Sequence, residues 1–483
     1  MFKDLVILTN TAGPVWQRSI GAYQVASHCR QNGFSCQVID FTDMFNPQEL
    51  LSLLDKFVDQ HTLALGISTS FFENETTKKK FISANRTFDN VIPQYIRQII
   101  QTLKQKFPKL KIFAGGAQSY QLAHDTLFDA VFHGYSEQSV LEYLQACGTG
   151  KKRIWPQQGS VQVIDGAHAH FDIQQMSHCW EHNDCILPKE TLPIEISRGC
   201  IFKCKFCAYP LNGKKKFDYL RDPEYIVDEI QKNYEQFGTT NYFFTDDTFN
   251  DSTYKLERLH KAIGKLSFDI KFVTYLRLDL IYNHPEQIAL LYEMGLGSAF
   301  FGIETLNHRT GKTIGKGLHP NKVKDFLVEL HDNHWKTQIP ITCSFIIGLP
   351  YETRESVQST HAWCQQSPIN DVWFPLFIRS DTHFKSEFDL NFQEYGYNID
   401  SDSHWSNEFF TYQSALSLAE EFNSRGLYGQ NTPSTWFLFA LLSYGYSIED
   451  LKHIAAKDLP WRQYARDKKR LFEIYKGLIN SLK

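Results

Sequence analysis

Three cysteines, Cys200, Cys204 and Cys207, fall within eight residues of one another. They follow directly on a strand-like run, Ile194-Glu195-Ile196, in the segment Ser197-Arg198-Gly199-Cys200-Ile201-Phe202-Lys203-Cys204-Lys205-Phe206-Cys207. Three thiolates at this spacing suit a cubane 4Fe–4S cluster, each binding one iron. A structural zinc site takes four ligands, usually in two pairs, and no second pair lies nearby. With three protein ligands one iron stays open, and an open iron chelates a substrate or cofactor. Phe206, just before the third cysteine, is placed to shield the cluster.

The other seven cysteines are scattered over 483 residues. Met1-Phe2-Lys3-Asp4 runs straight into the strand-like Leu5-Val6-Ile7-Leu8 and lacks the pattern of a signal peptide. A disulfide framework is therefore not expected, and a reducing cytoplasm is. No apolar run is long enough to span a membrane; the longest candidate is Trp436 to Leu442. The net charge of −4 gives no global positive field to draw in nucleic acid. The short basic runs Lys78–Lys80, Lys151–Arg153 and Lys214–Lys216 read as solvated loops. His168, His170, His178 and His182, with Cys179 and Cys185, fit no closed zinc pattern.

Strand-like and helix-like segments alternate through most of the chain, which predicts an α/β protein with parallel sheets. Residues 1–147 read as a doubly wound parallel sheet. Asn46-Pro47-Gln48-Glu49 marks a helix start, with an Asn cap, Pro at the first helical position and Glu three after the cap. Ligands bind at the carboxyl ends of such strands, so the loops to watch are 9–18, 68–70, 115–117 and 134–137. Residues 148–190 read as a linker with one hairpin. Residues 191–380 hold about six βα units, a partial (β/α)6 barrel whose chemistry belongs at the carboxyl-end loops. Residues 381–483 read as a mostly helical, aromatic-rich region that roofs the cleft.

The CxxxCxxC loop, with its aromatic before the last cysteine and its place after a strand, resembles the radical S-adenosylmethionine superfamily. The resemblance implies that the methionyl group binds the open iron and that an electron from the cluster cleaves the sulfonium. Later segments are similar to the family in order and spacing. Thr245-Asp246-Asp247-Thr248-Phe249 stands where the family places its amine-contacting motif, without the usual Gly-Gly-Glu. Arg277, at the end of the third strand, is implied to meet the methionyl carboxylate. Glu304, ending the fourth, is implied to accept from the ribose or the substrate. Gly348, in Gly348-Leu349-Pro350-Tyr351-Glu352, lies in the motif that approaches the adenine. Glu304 and Arg277 are the candidate catalytic residues.

Residues 1–147 resemble the cobalamin-binding domain that precedes the barrel in one branch of this superfamily. The matching positions are Ser19, Gly21, Ser68, Thr69, Ser70, Gly115, Gly116 and Glu137. The Asp-x-His-x-x-Gly motif that supplies a cobalt-ligating His elsewhere is absent. The expected function is a cobalamin-dependent methyltransferase acting on an unactivated carbon of a small molecule or peptide, served by an electron donor such as a flavodoxin or ferredoxin. The alternatives are cobalamin-independent radical chemistry (a cyclase, dehydrogenase or rearrangement enzyme) and, from a different class, a zinc-dependent nucleic-acid-binding module.

Overall fold

The computed structural model describes residues 2–11, 16–72, 92–150, 155–166, 171–208, 213–214, 219–378, 384–400, 404–423 and 461–482. Lys78–Lys80, Lys151–Arg153, Lys215-Lys216, His168, His170 and the run Trp436 to Leu442 lie outside the described residues.

The first sheet is built from β1 (Leu5–Leu8), β2 (Cys36–Ile39), β3 (Ala64–Ser68), β4 (Lys111–Gly115), β5 (Ala130–His133), β6 (Gln157–Gln158) and β7 (Val161–Asp165). Its order is β2-β1-β3-β4-β5-β7-β6, and only the β6–β7 hairpin is antiparallel. Along β1 the side chains alternate between two cores. Leu5 and Ile7 face one, Val6 and Leu8 the other, and all four are buried. That period of two, with apolar residues at every position, is what a strand covered on both faces requires. Each such side chain contributes about 1.5–3 kcal/mol by leaving water.

Helices α1 (Ile20–Gln31), α2 (Pro47–Phe57), α3 (Gln94–Lys106) and α4 (Glu137–Thr149) pack on this sheet. The predicted start of α2 forms a capping box. Asn46 Oδ1 accepts from the Glu49 N–H at 2.9 Å, and Glu49 Oε2 accepts from the Asn46 N–H at 3.1 Å. The sheet does not stop at residue 147. The hairpin expected within the 148–190 linker pairs its β7 against β5, with His133 opposite Asp165, because β5 would otherwise be an uncovered edge.

The second sheet holds β8 (Leu192–Glu195), β9 (Asn241–Thr245), β10 (Lys271–Leu276), β11 (Leu296–Glu304), β12 (Ile341–Ile347) and β13 (Asn370–Pro375). All six are parallel, in the sequential order of an open (β/α)6 half-barrel. The helices α5 (Pro223–Phe237), α6 (Thr253–Ile263), α7 (Leu278–Asn283), α8 (Glu286–Glu293), α9 (His308–Ile314), α10 (Pro320–Glu329) and α11 (Arg354–Gln366) make the returns. Asp222 caps α5 by accepting from the Glu224 N–H, and Gly238, at φ +68°, ends it.

One hydrophobic core runs from the inner face of the first sheet through Trp180 and Ile186 into the half-barrel. The second core lies on the other face of the first sheet. There the terminal helix Trp461–Ser481 inserts Phe472, Tyr475 and Ile479 beside Trp16, Phe41 and Phe45. The expected roof is thus divided. The terminal helix braces the N-terminal sheet, while Trp405 and Tyr397 pack on the barrel at Gly348.

Candidate active site

The cysteine loop leaves β8 through Gly199, whose φ of +84° permits the turn. Its backbone is fastened by hydrogen bonds within the loop and to α9. The Gly213 N–H donates to the carbonyls of Cys200 (2.8 Å) and Phe202 (3.1 Å). The Cys207 N–H donates to Cys204 O at 3.0 Å, and the Lys205 N–H to Ile314 O at 3.3 Å. Cys200 Sγ lies 3.2 Å from Thr248 Oγ1, and burial pushes its thiol pKa up. Arg277 places a guanidinium nitrogen 3.5 Å from Cys204 Sγ and stacks 3.8 Å above the Phe202 ring. Asp279 holds that guanidinium through two hydrogen bonds of 3.0 and 2.7 Å.

This donor set fits a 4Fe–4S cluster. The three thiols belong to one fastened loop, and the Arg277 guanidinium stands beside the Cys204 sulfur. Among the described residues no three His, Cys, Asp or Glu side chains are gathered around a single ion. A cubane differs from a single-ion site, since each thiolate binds its own iron.

The adjacent carboxylates Asp246 and Asp247 take different directions. Asp246 is buried and turned to Lys255, 2.9 Å away, and it accepts from the Thr248 N–H. Lys255 also meets Asp251 at 2.8 Å. Asp246 therefore shapes the loop after β9. Asp247 faces the cysteine loop, where it accepts from the Gly199 N–H. Burial, then the neighbouring Asp246 and Glu195, raise its pKa to about 7. Of the pair, Asp247 is the one beside the cluster loop.

Glu304 stands at a register shift between β11 and β12, with a left-handed φ of +69°. That backbone is costly for a residue with a Cβ and marks a constrained position. Its carboxylate accepts from the Ser344 hydroxyl at 3.3 Å and lies 3.5 Å from Lys316 Nζ. Burial raises its pKa, against the pull of Lys316. Gly348, at φ +96°, is packed beneath Trp405: a Cβ there would lie 2.1 Å from the indole. The Gly348 carbonyl accepts from Tyr397 Oη (2.7 Å) and Asn407 Nδ2 (3.2 Å), so this motif is fastened to the C-terminal region.

In the first sheet the loops after β3 and β4 meet. Thr69 Oγ1 donates to Gly115 O at 2.8 Å and accepts from the Gln118 N–H, and Ser70 Oγ accepts from the Ala117 N–H. A side chain at Gly116 would strike Ser70 Oγ at 2.7 Å. Ser68 precedes this turn. Ser19 sits near Asp40, its N–H 3.4 Å from the carboxylate. Gly21 is exposed on α1, with open space where a Cβ would stand. Glu137 does not face a free edge. It is buried and binds Arg198 through both oxygens, because a buried carboxylate needs a cationic partner.

Two residues at this edge had no place among the sequence candidates. Thr9 Oγ1 and Asn10 Oδ1 are buried just after β1 without a hydrogen-bond partner among the described residues. Buried polar atoms are rarely left unsatisfied. With Thr69 and Ser70 they supply the hydroxyl and amide groups that suit the amide-bearing rim of a corrin, so the donor set fits cobalamin. The position of Thr9 in the watched 9–18 loop was the available signal. Lys316, which contacts the candidate Glu304, also went unread, since its partner is reached only in three dimensions.

A half-barrel of six parallel strands, with three cysteines in the loop after the first, defines a cluster-binding α/β domain. Residues 194–364 match the model of the radical SAM superfamily. An uncharacterized methyltransferase of Pyrococcus horikoshii is 29% identical over 37% of this chain and 38% of its own length. A bacteriochlorophyllide d C-12(1)-methyltransferase of Chlorobaculum tepidum is 26% identical over 39% of this chain and 40% of its own. The chain thus spans about two fifths of the length of these curated relatives. Among solved structures, the radical S-adenosylmethionine methyltransferase TsrM of Kitasatospora setae, with cobalamin and a [4Fe–4S] cluster bound, aligns over 100% of both chains at a TM-score of 0.59 and 15% identity. The cobalamin-dependent S-adenosylmethionine radical enzyme OxsB aligns over 98% of this chain and 71% of its own, with a TM-score of 0.56 and 13% identity. The two-sheet architecture is therefore the fold of these proteins.

Proposed function

We propose that this chain is a radical S-adenosylmethionine enzyme that carries cobalamin and methylates an unactivated carbon of a small molecule or peptide. One observation carries the reading. The loop after β5 and the loop after β8 are bonded directly through Glu137 and Arg198, so the ligand-bearing ends of the two sheets meet at one junction. The methyltransferase relatives and the architecture shared with TsrM and OxsB support it.

Cys200, Cys204 and Cys207 would hold the cluster, and Thr9, Asn10, Thr69 and Ser70 the corrin rim. When bound, the cluster supplies the electron that cleaves S-adenosylmethionine, and cobalamin supplies methyl carriage. Asp247 offers the carboxylate beside the cluster loop that a methionyl amine needs. Arg277 offers the guanidinium for the methionyl carboxylate and keeps positive charge beside Cys204. Glu304, held by Ser344 and Lys316, accepts from hydroxyls of the ribose or substrate. Phe202 and Phe206 exclude water. An external donor of the flavodoxin or ferredoxin class would deliver the electron, in a reducing cytoplasm. No helix among the described residues is long and apolar enough to cross a membrane.

The test is anaerobic reconstitution with iron, sulfide and hydroxocobalamin, followed by desalting and a count of cobalt, iron and sulfide per chain. Stoichiometric cobalt with a full cluster is the expected result. An intact cluster without cobalt would overturn the cobalamin reading and leave cobalamin-independent radical chemistry. Zinc in place of iron would overturn the enzyme reading itself.

A further inference from the structure

Arg198 lies two residues before the first cluster cysteine, yet its partners come from both sheets. It is 4% exposed. Its Nε and Nη2 donate to the two Glu195 oxygens, each at 2.9 Å. Its Nη1 and Nη2 donate to the two oxygens of Glu137 on the N-terminal side. The guanidinium stands 4.4 Å from the Tyr135 ring centre and 5.1 Å from that of Phe171. Gln24 of α1 closes the set by donating to Glu195 Oε2 at 2.7 Å. Elements from three parts of the fold thus converge on one planar cation.

A fork of fixed N–H directions that grips two carboxylates bidentately determines angle as well as distance. Glu137 is the first residue of α4, directly after the β5 loop, and Arg198 is joined to Cys200 only through Gly199. A displacement of the N-terminal sheet relative to the cysteine loop must stretch or rotate this double fork. Lysine cannot replace it, because its ammonium is a point charge that cannot engage both carboxylates in plane.

We propose that Arg198 is a positioning residue that fixes the cysteine loop against the N-terminal sheet and so sets the separation between cluster and corrin. The second half of this inference rests on the function proposed above. The first half does not, because it concerns the apoprotein.

Two distance measurements separate the halves. Nitroxides are attached through genetically encoded ketone side chains at the exposed positions 105 on α3 and 236 on α5 of the full chain, and the label–label distance is read by pulsed dipolar EPR. The Arg198→Lys and Glu137→Gln variants should broaden this distribution and shift it to longer values. The Glu229→Gln variant, which weakens a buried arginine–glutamate pair between α5 and the segment just before it (Arg221–Glu229), should lower stability without moving it. A distribution unchanged in both junction variants, or moved equally by Glu229→Gln, overturns the proposal. Glu137→Gln is nearly isosteric and keeps the measurement open if Arg198→Lys fails to fold. The second measurement is the spin–spin interaction between reduced cluster and cob(II)alamin in the loaded chain, which should weaken in the same two variants. Wild-type chain that takes up no cobalt defeats the proposed function while the label distances still decide the role of Arg198. Loaded variants with altered label distances and an unchanged spin interaction overturn the corrin half alone.

Discussion

The Arg277 guanidinium lies 3.5 Å from Cys204 Sγ and is locked there by Asp279 on one side and the Phe202 ring on the other. A strand end from the middle of the half-barrel thereby reaches the cysteine loop at its edge. Arg277→Gln keeps the shape and removes the charge. A hydrogen bond to a charged group contributes about 1.5–3 kcal/mol, so S-adenosylmethionine should bind roughly ten- to a hundredfold more weakly. Equilibrium binding to the reconstituted chain measures this, and unchanged affinity would remove Arg277 from the site.

Cys204→Ala should abolish the visible absorbance of the reconstituted cluster and all reductive cleavage of S-adenosylmethionine under anaerobic conditions. Chromatography for 5′-deoxyadenosine is the readout. Retained cleavage would sink the cluster assignment.

Gly348 has no room for a side chain beneath Trp405 and adopts a φ of +96°. Gly348→Ala should cost more than about 1 kcal/mol on backbone conformation alone, plus the displacement of the indole. Trp405→Ala in the same chain should recover the steric part but not the backbone part. Urea unfolding of both single variants and the double variant measures the split, and a Gly348→Ala protein of wild-type stability would refute the packing.

Glu352 is buried, accepts from the Thr305 hydroxyl at 2.6 Å, and has its pKa raised by burial from 4.5 to about 8. Between those two values the folded chain keeps a proton that the unfolded chain has lost. Stability should therefore fall as pH rises through this window, by at most about 1.4 kcal/mol per unit. Glu352→Gln removes that slope, so the variant should gain relative to wild type at pH 8.5 and show the smallest gain at pH 5. Urea midpoints at the two pH values test this; a parallel pH dependence in both proteins would contradict it.

Much of the architecture was legible because it follows from local pattern. The strand of Leu5–Leu8, the cap at Asn46-Pro47, and the barrel strands ending at Thr245, Leu276, Glu304 and Ile347 are short-range consequences of hydrophobic period and turn chemistry. The β6–β7 hairpin was readable as a hairpin, but its attachment to β5 was not, since strand partners are chosen across distance. The terminal helix was equally silent about its partner: Tyr475 donates no local clue that its hydroxyl meets the Asp40 N–H, 435 positions away.

The sequence by itself determined the chemistry available: three thiolates on one loop, carboxylates and an arginine at strand ends, and two α/β units in series. Those are properties of residue type and spacing. Only the tertiary structure decided how they are used. It turned Asp246 into the buried pair with Lys255 and left Asp247 beside the cysteine loop, although the two are neighbours in the chain. It likewise paired Glu137, at the start of α4, with Arg198 of the cysteine loop. The reason is the cost of burying charge. Each buried carboxylate must find a cation or a donor, and which one lies within reach is set by how the two sheets pack.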